Sequence, residues 1–229
     1  MQKSAKYALI AVVLVILLGG AGFYWFVLRD DAPPVATLQS SSTVAGAPTD
    51  VSSADGTWKV VQADNVFVGY RVQELFAGES IKKDAAGRTP AVEGTITISG
   101  STISAAEITA DVSKLASDRA ARDNQIRGRG LQTDTFPQAT FKLTKPVVLP
   151  SAPTQGQPVE FTATGELTLH GQTKTVEVPL KAQWDGGTIN VAGTAPILFS
   201  DYGMEAPTNG IVSVDDHGAF ELQLTFIPA

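Results

Sequence analysis

The chain contains no cysteine. Disulfides, thiolate nucleophiles and Cys-ligated zinc or iron–sulfur centres are thereby excluded, as is the cysteine through which a lipoprotein is attached to its lipid. Histidine is nearly as scarce: His170 and His217 are the only two, too few for a multi-histidine metal centre. Positive charge is also in short supply, since 17 Lys and Arg stand against 23 Asp and Glu, a net charge of −6 at pH 7. Nucleic acids and anionic membrane surfaces are recognised through dense positive patches, so neither is expected as the main partner. No GxSxG elbow, HExxH, phosphate-cradling GxxxxGK or dinucleotide fingerprint occurs in residues 57–229, and no enzymatic activity is expected.

One long apolar run is present. Residues 7–28 carry no charge. At about 1.5 Å per residue, a helix of that length spans about 33 Å and crosses a hydrocarbon core about 30 Å thick. Lys3 and Lys6 precede the run, and Arg29 is followed at once by Asp30 and Asp31. That bias places residues 1–6 in the cytoplasm and everything after the run outside it. The run reads as a transmembrane signal-anchor, because Phe23, Tyr24, Trp25 and Phe26 continue it past any cleavage site and suit a membrane interface. The alternative is a cleaved signal peptide with an apolar core at 8–18 and small residues at Gly19, Gly20 and Ala21, which would release a secreted domain. Residues 29–56 are rich in Ala, Pro, Ser, Thr and Asp without apolar periodicity and read as a disordered linker. The folded domain is expected over 57–229, long enough for one substantial core.

Within that domain, polar and apolar residues alternate. Val176, Val178, Leu180, Ala182 and Trp184 interleave with Glu177, Pro179, Lys181 and Gln183, and 161–169, 189–199 and 220–226 repeat the pattern. A period of two buries one face and wets the other. Further strands are expected at 58–63, 66–72, 92–99, 103–112, 139–144 and 210–215, with turns at 63–65, 99–101, 170–172, 185–187 and 216–218. One helix is expected over 117–129, capped by Ser117 or Asp118 and ended by Gly128 and Gly130. Eight or more antiparallel strands with one short helix imply an all-β barrel or sandwich. Small residues in the inward series, among them Gly94, Ala110, Ala163, Gly165, Gly193 and Ala195, either leave room for a ligand or mark bends and close backbone approach.

The order of motifs carries a family resemblance. Val68-Gly69-Tyr70-Arg71-Val72 is followed by Gly87-Arg88-Thr89, Val92-Glu93-Gly94-Thr95-Ile96, Ser117-Asp118-Arg119 with Arg122-Asp123, and Phe136-Pro137-Gln138-Ala139-Thr140-Phe141. Then come Gly165-Glu166-Leu167-Thr168-Leu169-His170-Gly171-Gln172-Thr173-Lys174 and Phe199-Ser200-Asp201-Tyr202-Gly203-Met204. In this order they resemble the YceI-like family of lipid- or polyisoprenoid-binding proteins, over residues 57–228. Glu74 stands near a position where that family often carries a histidine. The resemblance implies an antiparallel lipocalin-like barrel of about eight strands whose apolar interior holds an amphiphile with a long tail, a polyisoprenoid or quinone. The inward set on the resembling strands, Val68, Tyr70, Val72, Phe141, Leu143, Leu167, Leu169, Val178, Leu180, Ile197 and Phe199, is the expected lining together with Tyr202, each position being either ligand contact or plain core. Tyr70 and Tyr202 are each able to bury a ring and offer a hydroxyl to a head group. Burial of a tail contributes about 0.8 kcal/mol per CH2 without specific polar contacts.

The polar clusters have plain readings beside chemical ones. His170 is a turn residue or a base. Asp215, Asp216 and His217 are strand and turn residues or a hard-cation site. Asp118, Arg119, Arg122, Asp123, Arg127 and Arg129 either receive an anionic head group at a barrel mouth or form a solvated face, with ion pairs of spacing four at Asp118 to Arg122 and Asp123 to Arg127. The expected function is that of a single-pass, membrane-anchored extracytoplasmic protein that holds or carries a long-chain isoprenoid or quinone-type lipid. It requires no cofactor, binds no metal or nucleic acid, and leaves open whether it forms a homodimer. The alternative is a cell-envelope interaction module with a filled barrel and partner binding on loops at 78–88 and 149–157.

Overall fold

The computed structural model describes residues 13–17, 32–39, 44, 51–208 and 210–229. The expected anchor lies outside the described residues except for 13–17, which are helical with exposed side chains. Among the described residues no helix is long and apolar enough to cross a membrane. The strands, in chain order, are β1 (Gly56–Val60), β2 (Phe67–Phe76), β3 (Lys83–Thr89), β4 (Val92–Ser99), β5 (Thr102–Asp111) and β6 (Ala116–Ser117). They continue with β7 (Gln138–Leu143), β8 (Val147–Val148), β9 (Pro158–Leu169), β10 (Gln172–Trp184), β11 (Ile189–Leu198) and β12 (Val212–Pro228).

Eight of these close a ring in the order β1-β4-β5-β7-β9-β10-β11-β12, with β12 returning to β1, and every pairing is antiparallel. The expected eight-stranded barrel is therefore the observed one. Its closure depends on the length of β12. Residues Phe226, Ile227 and Pro228 pair with β1, while Val212 to Gln223 pair with β2, from which β3 and β6 continue. Inward side chains form one cluster around Trp58, Ile96, Val191, Leu224 and Phe226 and a second around Leu167, Leu169, Ile197, Tyr202 and Met204.

Several elements differ from the expectation. The two strands expected at 210–215 and 220–226 are one strand. The expected turn at 216–218 is a bulge, with the register to β2 shifting between Val214 and Gly218. Residues 83–89, expected within a loop, form β3. Alanine and charged residues lack strand propensity, but seven consecutive cross-strand pairs from Val68–Thr89 to Glu74–Lys83 impose the extended form. The helix is shorter than expected: α1 (Ala120–Gln125) runs into a π-helical turn (Ile126–Gly130). Its N-cap is Arg119, with no side-chain cap, and not Ser117 or Asp118.

The glycines resolve in favour of close approach. A Cβ on Gly165 would lie 2.4 Å from Phe141 Cζ and 2.5 Å from the Lys142 carbonyl oxygen, so the Phe141 ring occupies the space the glycine leaves. Gly87 makes the same room for the Tyr70 ring. Ala110 and Ala163, by contrast, line a cavity.

The outward face of β12 is covered. Phe220, Leu222 and Leu224 point inward, so Glu221 points out, yet it has 0% exposure. Arg88 Nε donates to Glu221 Oε1 at 2.8 Å, and Arg71 Nη2 lies 3.5 Å from Oε2. Residues 32–39 lie over this triad without regular secondary structure. The Ala36 amide donates to Glu221 Oε2 at 3.3 Å, and Arg71 and Arg88 donate to the carbonyls of Pro33 and Pro34. Val51 and Ala54 pack on the core as well, with Trp58 Nε1 donating to the Ala54 carbonyl at 2.9 Å. Packed structure thus extends into the stretch whose composition reads as linker.

Candidate ligand-binding site

Alternation along the barrel strands turns large apolar side chains inward, and they do not fill the interior. One cavity of about 140 Å³ is walled by residues of β4, β5, β7, β9, β10, β11 and β12, including Ile96, Ile108, Phe161, Leu180 and Trp184. A second, of about 310 Å³, lies between β2, the α1 region and the segment after β11, with Val72, Leu115, Ile126, Leu131, Ile197 and Met204 in its wall. Val68, Ala139, Leu167 and Phe220 line both. The two cavities therefore adjoin through shared side chains.

Of the side chains expected to line the interior, Val68 and Leu167 face both cavities. Phe141, Leu143, Val178 and Leu180 face the first, and Tyr70, Val72, Leu169, Ile197 and Phe199 the second. Tyr202 faces neither: it is 2% exposed, packed in the cluster of Leu167, Leu169, Ile197 and Met204. The reason is local, because Phe199–Tyr202 forms a 3-10 turn that breaks the strand alternation. Burial pushes the phenol pKa of Tyr70 well above its ordinary value, and burial and then the Asp201 charge push that of Tyr202 up. Both hydroxyls stay protonated, and neither has a hydrogen-bond partner among the described residues.

The second cavity has a polar end that the strand pattern does not announce. Arg122 on α1 reaches Glu74 on β2, Nε to Oε1 at 2.7 Å and Nη2 to Oε2 at 2.8 Å. Its Nη1 donates to Asp118 and, at 3.3 Å, to Ser117 Oγ. Burial opposes the guanidinium charge, but the hydrogen bonds and charges of Glu74 and Asp118 outweigh it and hold the Arg122 pKa above its ordinary value. Of the two expected helix pairs, Asp118 to Arg122 forms. Asp123 to Arg127 does not: Asp123 Oδ1 accepts from the Ser117 amide and hydroxyl at 2.9 and 2.7 Å, and Arg127 donates to Asn124. The solvated face expected for this helix is half right, since Arg122 is turned inward. Glu74 and Arg119 are also in the cavity wall; that Arg122 would meet Glu74 had no local signal, because the contact joins segments 48 residues apart.

His170 occupies a left-handed turn position at φ 51°, its Nδ1 2.9 Å from the Tyr202 carbonyl oxygen and its ring edge-on to Phe136 at 4.7 Å. That is the geometry of a turn residue. Asp215 pairs with Lys82 at 2.7 Å, and Asp216 accepts from the His217 ring, whose hydrogen bond draws its pKa down. Among the described residues no group of three or more His, Asp or Glu is placed to hold a metal ion.

The YceI-like domain model matches residues 58–226. The chain belongs to the YceI-like family. Solved structures share its fold at low identity. A polyisoprenoid-binding domain from Saccharophagus degradans matches with a TM-score of 0.57 and 16% identity, over 75% of this chain and 98% of that one. BcnA of Burkholderia cenocepacia matches with a TM-score of 0.50 and 22% identity, over 68% and 95%. At these identities the likeness is one of fold. No curated protein matches the chain.

Proposed function

We propose that the barrel holds a long-chain isoprenoid or quinone-type lipid, with its tail in the adjoining cavities, and presents or carries it outside the cytoplasm. The observation that carries this reading is the pair of apolar cavities that share Val68, Ala139, Leu167 and Phe220. Membership of the YceI-like family, a family of binding domains, supports it, as does the fold shared with a domain described as polyisoprenoid-binding. A tail needs no specific recognition here, since each buried CH2 contributes about 0.8 kcal/mol. The interior is also better matched to an elongated apolar ligand than to the filled barrel of an interaction module, whose expected loop at 78–88 is largely β3.

The apolar run at 7–28, followed by a short polar segment, fits an anchor that keeps the barrel beside the bilayer where such lipids reside. The role is binding: the polar end of the second cavity offers an ion pair already satisfied and the protonated phenol of Tyr70. Leu180→Trp tests the site while keeping the interior apolar. Leu180 walls the first cavity, so the variant, folded by circular dichroism, is expected to retain several-fold less isoprenoid than the parent on organic extraction. Undiminished occupancy would place the ligand elsewhere.

A further inference from the structure

We infer that the second cavity selects an uncharged head group over an anionic one, and that Glu74 and Asp118 set this preference. The inference rests on the lipid-binding reading and adds the head-group chemistry that reading leaves open. The charged residues in the cavity wall are Glu74, Arg119, Arg122 and Glu205. Both cations are already engaged. Arg122 is held bidentately by Glu74 at 2.7 and 2.8 Å and again by Asp118. Arg119 pairs with Asp118 at 3.4 Å and lies over the Phe76 ring at 5.1 Å. Glu205, exposed at the rim, adds a third carboxylate. Three carboxylates thus face two guanidiniums, and the side chains of the Glu74–Arg122 pair are only 8% and 10% exposed, where salt screens little.

A phosphate or diphosphate entering this end meets an excess of negative charge. To win Arg122 it must strip the guanidinium from Glu74 and leave a buried carboxylate unpaired, the costliest way to break such a pair. An uncharged head, a quinone carbonyl or a prenol hydroxyl, leaves the pairing intact and asks only for a hydrogen bond. The arrangement therefore holds an arginine inside a lipid cavity while denying its charge to the ligand.

The test uses the full chain in micelles of an uncharged detergent. Octaprenol and octaprenyl diphosphate, which share one tail, are supplied together, and the bound fraction of each is read by native mass spectrometry. The parent protein is expected to favour octaprenol by about tenfold or more, the size of effect one uncompensated charge produces. Glu74→Gln keeps the side-chain shape and removes the charge that holds Arg122. It is expected to narrow the ratio about tenfold by a gain in diphosphate binding. Asp118→Asn should shift the ratio the same way by less. Equal or tighter binding of the diphosphate by the parent overturns the inference, and so does a folded Glu74→Gln protein whose ratio does not move. If Glu74→Gln does not fold, the parent ratio and Asp118→Asn decide. If the parent binds neither lipid, the lipid-binding reading itself has failed and this inference falls with it.

Discussion

A carboxylate without exposed surface on the outward face of a barrel strand is held there by its partners. Glu221 receives Arg71, Arg88 and the Ala36 amide, and the two arginines in turn tie down the carbonyls of Pro33 and Pro34. Removing the charge leaves two guanidiniums, 14% and 23% exposed, without their shared counter-ion. Glu221→Gln is expected to lower stability by about 1–3 kcal/mol in urea denaturation. It should also make the peptide bonds of residues 32–39 cleavable by protease before the barrel unfolds. Stability and protection both unchanged would show that the triad does not hold the segment. None of this was legible in the sequence. Arg71 and Arg88 stand in the family motifs, but their meeting with Glu221 joins residues 133 apart in the case of Arg88, and a run of Ala, Pro and Val shows no periodicity to betray that it is packed. Tyr202 shows the opposite error, an aromatic beside the lining whose turn geometry moved it behind the wall.

At the level of elements, strands with strict alternation were the ones the sequence disclosed. β4 is observed over the residues expected for it, and β9, β10 and β11 lie within a few residues of theirs, because their inward faces are apolar at every second position. β3 escaped because its residues carry no such pattern and its extended form is imposed by β2. β12 was divided in two because Asp216-His217-Gly218 has the composition of a turn. Strand pairing on both sides overrides that local preference, and the excess chain is absorbed as a bulge. The packing of glycines under neighbouring rings makes a prediction at this scale. Gly165→Val forces a Cβ against the Phe141 ring and the Lys142 carbonyl oxygen and is expected to cost about 2–3 kcal/mol, read as a lower denaturation midpoint. Gly128→Ala, where a Cβ meets nothing within 4 Å, serves as the control and should leave the midpoint within about 0.5 kcal/mol of the parent. Equal effects would mean that the ring and strand yield easily.

For the molecule as a whole, inward-facing apolar residues were readable one strand at a time, and nearly all of those singled out do line the interior. What no single strand discloses is the volume left between them, or that α1 and the segment after β11 extend it with a second chamber ending in the Glu74–Arg122 pair. These depend on how the ring closes and on where β12 hands over from β2 to β1. The account therefore stands on one claim, that the adjoining cavities are occupied by a long apolar ligand. Native mass spectrometry of the domain from Ala32 onward, purified from its own host without added detergent and followed by organic extraction of the bound material, tests it directly. The account predicts a complex heavier than the chain by the mass of a single isoprenoid or quinone, recovered in the organic phase. A bare polypeptide mass, with no uptake when isoprenoid is added back, would contradict it.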